Sequence, residues 1–156
     1  MSEARIPFET APGGRDALRG LERYIEESGL PPALVELVKL RVSTINHCAY
    51  CIDMHWRKLR DLGESEYRLA GLAAWREQSG YSAKERAALA WAESVTAVAQ
   101  TGVPDADYAA ISAHFSKKEI IDLTYVLAAI NAWNRLCVAL RIPPAHPLTE
   151  PNDAAR

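Results

Sequence analysis

Apolar residues recur along most of the chain at the spacing expected for α-helices. In segment 16–28, four apolar residues lie at i, i+3, i+6 and i+7 and share one face. Gly29 follows at a position where helices commonly end, because glycine adopts the left-handed conformation without steric cost. Segment 33–45 is apolar on nearly every side, which predicts a helix buried in the core or at a subunit contact.

Further helices are indicated by capping signals. Asn46 is a predicted N-cap for a third helix that ends near Leu62. The strings SAKE at 82–85 and SKKE at 116–119 have the capping-box form and predict two long helices, the second ending at Leu140. Strand signals are scarce, so the pattern predicts an all-α fold of about six to eight helices.

Length and composition favour a single domain with flexible ends. The 156 residues are 49% hydrophobic, which is enough for a core without disulfide support. We expect a flexible N-terminal segment at 1–14, a helical domain at 15–142 and an extended or disordered tail at 143–156. No run approaches the roughly 18 apolar residues of a membrane span, so no membrane-spanning helix is expected.

Charge and cysteine content narrow the function classes. The chain has 18 basic and 20 acidic side chains, and this balance gives no electrostatic case for binding nucleic acid or an anionic membrane. Three cysteines are too few for a secreted disulfide framework. A cytoplasmic protein in a reducing compartment is expected.

The segment most indicative of chemistry is Cys48-Ala-Tyr-Cys51-Ile-Asp-Met-His55. At about 100° per residue, a helix places Cys48, Cys51 and His55 in one narrow stripe. A helix N-terminus favours the thiolate, and an adjacent imidazole can take the thiol proton. The spacing therefore predicts a reactive dithiol that cycles through a disulfide.

Glu36 is an acid within the apolar string ALVELVKL. A buried carboxylate is costly unless it is paired, and His55, one helical hairpin later, is the predicted partner. In that pair the carboxylate is expected to raise the pKa of the imidazole. The alternative is a structural glutamate that reaches solvent or a subunit interface.

Two other interpretations of the cysteine pair stay open. Cys48, Cys51 and His55, with His47 or Glu36 as a fourth ligand, would form a zinc site, making the chain a zinc-stabilised or redox-sensing interaction module without turnover. The two cysteines could also be buried without chemistry. Cys137, about 85 residues further along in an apolar helix, is predicted to be an inert buried thiol.

Glu36, eleven intervening residues and Cys48-x-x-Cys51-x-x-x-His55 resemble the signature of the alkylhydroperoxidase D-like branch of the carboxymuconolactone decarboxylase superfamily. The strings ELVKLRVSTINHCAYCIDMH and INAWNRL resemble its small stand-alone members, and the resemblance spans about 18–140. It implies an all-helical bundle that assembles into homotrimers or homohexamers, with a peroxidase site made of a cysteine pair.

The resemblance also implies a role for each site residue. Cys51 attacks a hydroperoxide and becomes a sulfenic acid, Cys48 then closes the disulfide, and His55 with Glu36 relays protons. No cofactor or metal is implied, and an external dithiol supplies the electrons. Tyr50 stands where the best-studied members have histidine, which implies a simpler relay or a different substrate. The lactone decarboxylase activity of the superfamily is a further alternative, but it does not depend on a CxxC pair.

Overall fold

The computed structural model describes residues 4–144, and helices form all the regular structure in that range. The predicted all-α fold is confirmed, and the eight α-helices found in 4–144 agree with the expected number. Two short 3-10 helices, Phe8–Thr10 and Leu72–Ala74, accompany them. The α-helices are α1 (Pro12–Glu27), α2 (Pro32–Ile45), α3 (Ala49–Asp61), α4 (Glu66–Gly71), α5 (Ala83–Thr96), α6 (Val98–Thr101), α7 (Asp105–Ser112) and α8 (Lys117–Leu140).

Helix α2 occupies the centre of the bundle. It packs against α3, α5 and α8, and its residues from Leu34 to Leu40 are all buried. The sequence left open whether this apolar helix lies in the core or at a subunit contact. Other helices of the same chain cover α2 on several sides. Burial within the core of one subunit therefore accounts for the apolar residues on nearly every side of this helix.

Helix α8 is the longest element and begins at the predicted capping box. The Ser116 hydroxyl accepts from the backbone N–H of Glu119, and the Glu119 carboxylate accepts from the backbone N–H of Ser116. By length and composition α8 would suffice to cross a membrane, contrary to the expectation from sequence. In this structure α8 packs against α1, α2, α3 and α5, so its apolar side faces the bundle.

Several boundaries differ from the sequence predictions. Helix α1 begins at Pro12 rather than Asp16, so the last three residues of the segment predicted to be flexible are helical. The helix predicted to run from 83 to 102 stops at Thr96, and a separate turn follows up to Gly102. Most of the predicted extended or disordered tail, 145–156, lies outside the described residues.

Asn46 was predicted to start the third helix, but it ends the second. Its backbone N–H donates to the carbonyl of Val42, as a helix C-cap does, and His47 then takes the left-handed conformation with φ of 55°. This conformation breaks the helix and turns the chain, so α3 starts two residues later. Cys48 is therefore the N-cap of α3, not a residue of its first turn.

Helix α3 is fixed to the bundle by Leu59, which is fully buried in the apolar cluster shared with α2. We expect Leu59→Ala to lower the free energy of unfolding by about 2–5 kcal/mol, through lost apolar burial and the cavity left behind. Leu62, one turn later and 51% exposed, provides the matched control. Leu62→Ala is expected to cost less than about 1 kcal/mol, as measured by denaturant unfolding. Equal costs for the two variants would contradict this packing.

Candidate active site

The turn between α2 and α3 places Cys48 at the N-terminus of α3. The backbone N–H of Cys48 donates to the carbonyl of Ser43 at 3.0 Å, and the Cys48 Sγ accepts from the backbone N–H of Cys51 at 3.4 Å. A sulfur thus takes the capping position that a serine or aspartate oxygen usually occupies. Because the unpaired N–H groups of a helix start carry partial positive charge, this position stabilises a thiolate.

A cluster of amides holds this turn against α8. The Asn46 Nδ2 donates to the Oδ1 atoms of Asn131 and Asn134, each at 2.9 Å. The Nδ2 of Asn134 donates to the Ser43 hydroxyl at 3.1 Å, and the same amide hydrogen-bonds the Cys48 thiol. Asn134 is almost fully buried. From sequence it would be assigned to core packing, and the only signal of this role was a polar residue within an apolar helix.

Glu36 and His55 meet between α2 and α3. The Nδ1 of His55 lies 2.6 Å from Oε2 of Glu36, and Lys58 Nζ donates to Oε1 of the same carboxylate at 3.2 Å. Glu36 is 8% exposed and His55 is 2% exposed. The structure therefore brings together the two residues that the sequence pairs, and it adds Lys58 as a second partner of the carboxylate.

The two pKa values determine which proton lies where. Burial raises the pKa of Glu36, but the hydrogen bond from His55 and the charges of nearby cations outweigh it, so the pKa lies below its usual value. Glu36 raises the pKa of His55, as expected, but burial lowers it more, so the pKa lies below its usual value. Glu36 is thus a carboxylate at neutral pH and His55 a neutral imidazole.

Neutral His55 must carry its proton on Nδ1, because the Glu36 carboxylate only accepts hydrogen bonds. Its Nε2 is then a free base. This atom is buried and has no hydrogen-bond partner among the described residues. Such an unpaired buried nitrogen is costly in a core, and it is typical of a group that receives a proton or a ligand.

Cys137 is the residue whose neighbours the sequence does not reveal. It is buried, as predicted, but it is not isolated: the Sγ atoms of Cys48, Cys51 and Cys137 all lie within 4.8 Å of one another. Cys137 lies on α8, so it reaches Cys48 and Cys51 only through the packing of α8 against α3. The spacing of residues in the sequence does not indicate how these two helices pack.

The three thiols differ in acidity. Hydrogen bonds from the Cys137 and Cys51 thiols lower the pKa of Cys48, and the backbone N–H of Cys51 and the amide of Asn134 act in the same direction. For Cys51, a hydrogen bond with Cys137 lowers the pKa, but the bond to Cys48, burial and the charge of Cys48 together raise it. The pKa of Cys137 is raised by its hydrogen bonds to Cys48 and Cys51 and by burial. Together with its N-cap position, these hydrogen bonds favour Cys48 as the thiolate of the cluster.

A pocket of about 250 Å³ opens onto Cys51, Cys137 and His55 but not onto Cys48. Its wall is partly apolar and partly charged. The apolar side is formed by Phe8, Met54, Ile130 and Trp133, and the charged side by Arg15, Arg19, Glu22, Glu26, Lys39 and Lys58. Tyr50 also lines it, and burial raises the pKa of its phenol, so Tyr50 keeps its proton at neutral pH and does not shuttle protons.

The metal-ligand set differs from the one the sequence suggests. The donor atoms gathered within 4.8 Å are three cysteine sulfurs, without His55, His47 or Glu36. Both oxygens of Glu36 are already engaged by His55 and Lys58. Three thiolates would suit a soft metal ion, whereas the proposed set of two cysteines, a histidine and a fourth ligand is not assembled.

Residues 12–94 match the family model described as the Carboxymuconolactone decarboxylase family. The uncharacterized protein YdfG of Bacillus subtilis (strain 168) is 38% identical over 140 residues, which are 90% of this chain and 95% of YdfG. The crystal structure of ATU0492 from Agrobacterium tumefaciens superimposes with a TM-score of 0.89 at 40% identity, over 91% of this chain and 98% of that one. ATU0492 is a protein of unknown function with a suggested identity as the antioxidant defence protein AhpD.

The debrominase Bmp8 shares the fold. Its structure superimposes with a TM-score of 0.75 at 17% identity, over 88% of this chain and 74% of Bmp8. At that identity the likeness concerns the backbone arrangement alone.

Proposed function

The chain belongs to the carboxymuconolactone decarboxylase family as an alkylhydroperoxidase D-like member, and from this premise we propose that it is a thiol-dependent peroxidase. One observation carries the proposal. Cys51 and His55, whose Nε2 is unpaired, line the same pocket, and the Sγ of Cys48 lies within 4.8 Å of the Sγ of Cys51. A nucleophile, a base and a second thiol thus surround one point that a small hydroperoxide can reach.

In the first step His55 Nε2 takes the proton of the Cys51 thiol, and Glu36 stabilises the imidazolium that forms. The Cys51 sulfur then attacks the terminal peroxide oxygen. The O–O bond breaks, Cys51 becomes a sulfenic acid, and the departing alkoxide takes the proton from His55 to leave as an alcohol. A neutral histidine suits this role, because an imidazolium could not accept the thiol proton.

In the second step the Cys48 thiolate attacks the sulfur of the sulfenic acid. The S–O bond breaks, the departing hydroxide takes a proton from solvent and leaves as water, and a Cys48–Cys51 disulfide forms. The acidity of Cys48 suits this step, since a resolving thiolate at the helix N-terminus needs no base of its own. Two electrons have passed from the thiols to the peroxide, and an external dithiol restores them by exchange.

Replacing the cysteines tests the order of these steps. Cys51→Ser is expected to abolish peroxide consumption, because the thiol that attacks the peroxide in the proposed cycle is lost. Cys48→Ser alone leaves Cys137 beside the sulfenic acid, so we expect a stable sulfenic acid on Cys51 only in the double variant Cys48→Ser, Cys137→Ser. Dimedone labelling followed by mass spectrometry detects it. Label on Cys48 or Cys137 in the single variants would contradict the assignment of Cys51.

The same preparation separates the peroxidase from the metal-binding alternative. Protein purified under reducing conditions is analysed for zinc before the peroxide is added. Near-stoichiometric zinc that disappears in Cys137→Ser would favour a zinc-stabilised module held by the three sulfurs. A peroxidase is expected to consume peroxide with negligible bound metal.

The proton relay has its own pH signature. Because the pKa of His55 is lowered, wild-type reaction with peroxide should stay at its neutral-pH rate down to the ordinary histidine range and fall only at lower pH. His55→Ala should be slower by about 100-fold or more at pH 7 and recover as the pH rises, since the thiol then ionises unaided. Glu36→Gln removes the charge that raises the histidine pKa. It should therefore slow the reaction less than His55→Ala does, and the fall in rate in acid should occur at a lower pH than in wild type.

These rates are measured as loss of the Cys51 thiol in a single turnover across pH. Exposed His114 gives the matched control, and His114→Ala should behave like wild type. Superimposable pH profiles for all variants would mean that Glu36 and His55 are structural, and the relay would be wrong.

The proposal extends to assembly and location. Four apolar side chains on the outer side of α8 are at least one-third exposed, namely Ile121, Tyr125, Leu136 and Val138. Their burial between subunits would support a homotrimer or homohexamer, and light scattering at micromolar concentration should give three or six times the chain mass of 17.2 kDa. A mass of one chain would contradict it.

A cytoplasmic location belongs to the same proposal, because the thiol cycle requires a reducing compartment.

A further inference from the structure

Resting on the proposed peroxidase cycle, we infer that Cys137 is a third redox cysteine, which takes over the disulfide as Cys51–Cys137 and releases Cys48. The starting observation is the cluster of three buried sulfurs, each within 4.8 Å of the other two. A resolving pair needs two thiols, so a third in direct reach of both is a reaction partner for any disulfide formed there. The cycle of Cys48 and Cys51 has no role for the Cys137 thiol.

Cys137 can reach both sulfurs of a Cys48–Cys51 disulfide. It lines one pocket together with Cys51, and the helices of these two residues, α3 and α8, are in contact. It also lines a surface depression together with Cys48. Access alone therefore does not select the partner of Cys137, and the stability of the leaving thiolate does.

The environment of Cys48 determines which sulfur leaves. Attack of the Cys137 sulfur on Cys51 forms the Cys51–Cys137 bond, breaks the Cys48–Cys51 bond and leaves the electron pair on Cys48. The released thiolate lies at the N-cap of α3, where the Cys51 N–H and the Asn134 amide stabilise it. Exchange is faster when the leaving thiolate is the more stable one. Attack on Cys48 would instead release the less acidic Cys51.

The proton balance is consistent with this direction. Cys137 gives its proton to a base, and neutral His55 lines the same pocket. Cys137 resists ionisation in the reduced protein because of its hydrogen bonds to Cys48 and Cys51. Once those two sulfurs are joined in a disulfide, neither carries a negative charge, so this obstacle is removed. The exchange is neutral in electrons, since one disulfide is lost and one is gained.

The exchange also provides the external dithiol with a separate entrance. A second depression in the surface is lined by Cys48 and Cys137 but not by Cys51, together with His47, Tyr50 and Arg141. From that side a dithiol can attack Cys137 of the Cys51–Cys137 disulfide. This attack forms a mixed disulfide with Cys137, breaks the Cys51–Cys137 bond and releases Cys51 with the electron pair. The second thiol of the donor then frees Cys137, and the donor leaves as a disulfide.

The experiment exploits the tryptic peptides of the chain. Cys48 and Cys51 both lie in the peptide 42–57, between cleavage sites at Arg41 and Arg57, whereas Cys137 lies in 136–141. The reduced protein is oxidised with one equivalent of diamide, an azodicarboxamide that takes two electrons from two thiols. The remaining free thiol is alkylated under denaturing conditions and the peptides are mapped by mass spectrometry.

We expect a cross-link between peptides 42–57 and 136–141 as the main product, with the alkyl group on Cys48. Chymotryptic cleavage after Tyr50 separates Cys48 from Cys51 and locates the bond. Cys48→Ser should give the same cross-link, and Cys137→Ser should give only the disulfide within 42–57. Wild type that yields only this internal disulfide, or a cross-link through Cys48 with Cys51 alkylated, would overturn the inference.

Thermal unfolding gives a second readout on the wild-type chain. A Cys51–Cys137 bond encloses about 85 residues, so oxidation should raise the melting temperature by on the order of 10 °C. The internal disulfide of Cys137→Ser encloses a single turn, and a smaller rise is expected. Because diamide acts without peroxide, an absent cross-link refutes the role of Cys137, whereas failure to consume peroxide with the cross-link present refutes the peroxidase.

Discussion

The site depends on the burial of one carboxylate beside one imidazole. Glu36 lies on the central helix, where an unpaired charge would be costly, and within residues 4–144 the histidine that contacts it is His55. The hydrogen bond fixes the tautomer of the imidazole, and burial keeps the ring neutral. From these two effects follows an unprotonated, unpaired Nε2 on a histidine that lines the same pocket as Cys51. The basic imidazole of His55 is thus positioned by the packing of α2 against α3, and the loops contribute little to its position.

The cysteine pair depends on a different constraint, the left-handed residue His47 between two helices. It ends α2 and sets the start of α3, which makes Cys48 a cap and Cys51 a residue of the first turn. The two thiols therefore have unequal environments three residues apart. One is stabilised as a thiolate by the helix N-terminus, and the other depends on a base. This asymmetry supplies the division of roles in the proposed cycle.

Local features of the sequence predicted much of this. The helix count, the capping box at Ser116 and the Glu36–His55 contact follow from short-range patterns and from the cost of burying charge. The position of Asn46 was wrong because asparagine serves both ends of a helix, and only the turn at His47 decides between them. Cys137 could not be placed because its position depends on the packing of α8, and the direction of the His55 pKa depends on an extent of burial that the sequence does not give.

The buried Glu36–His55 pair also sets how the fold responds to acid. His55 binds a proton less readily in the folded chain than when it is unfolded, so stability is complete above the ordinary histidine pKa of about 6.5 and is lost as the pH falls below it. The lowered pKa of Glu36 adds a further loss below about pH 4.5. Protonation that inactivates the base therefore also favours unfolding. The candidate active site is therefore an acid-labile part of the fold, and a chain that stays folded in acid would need a different pair at positions 36 and 55.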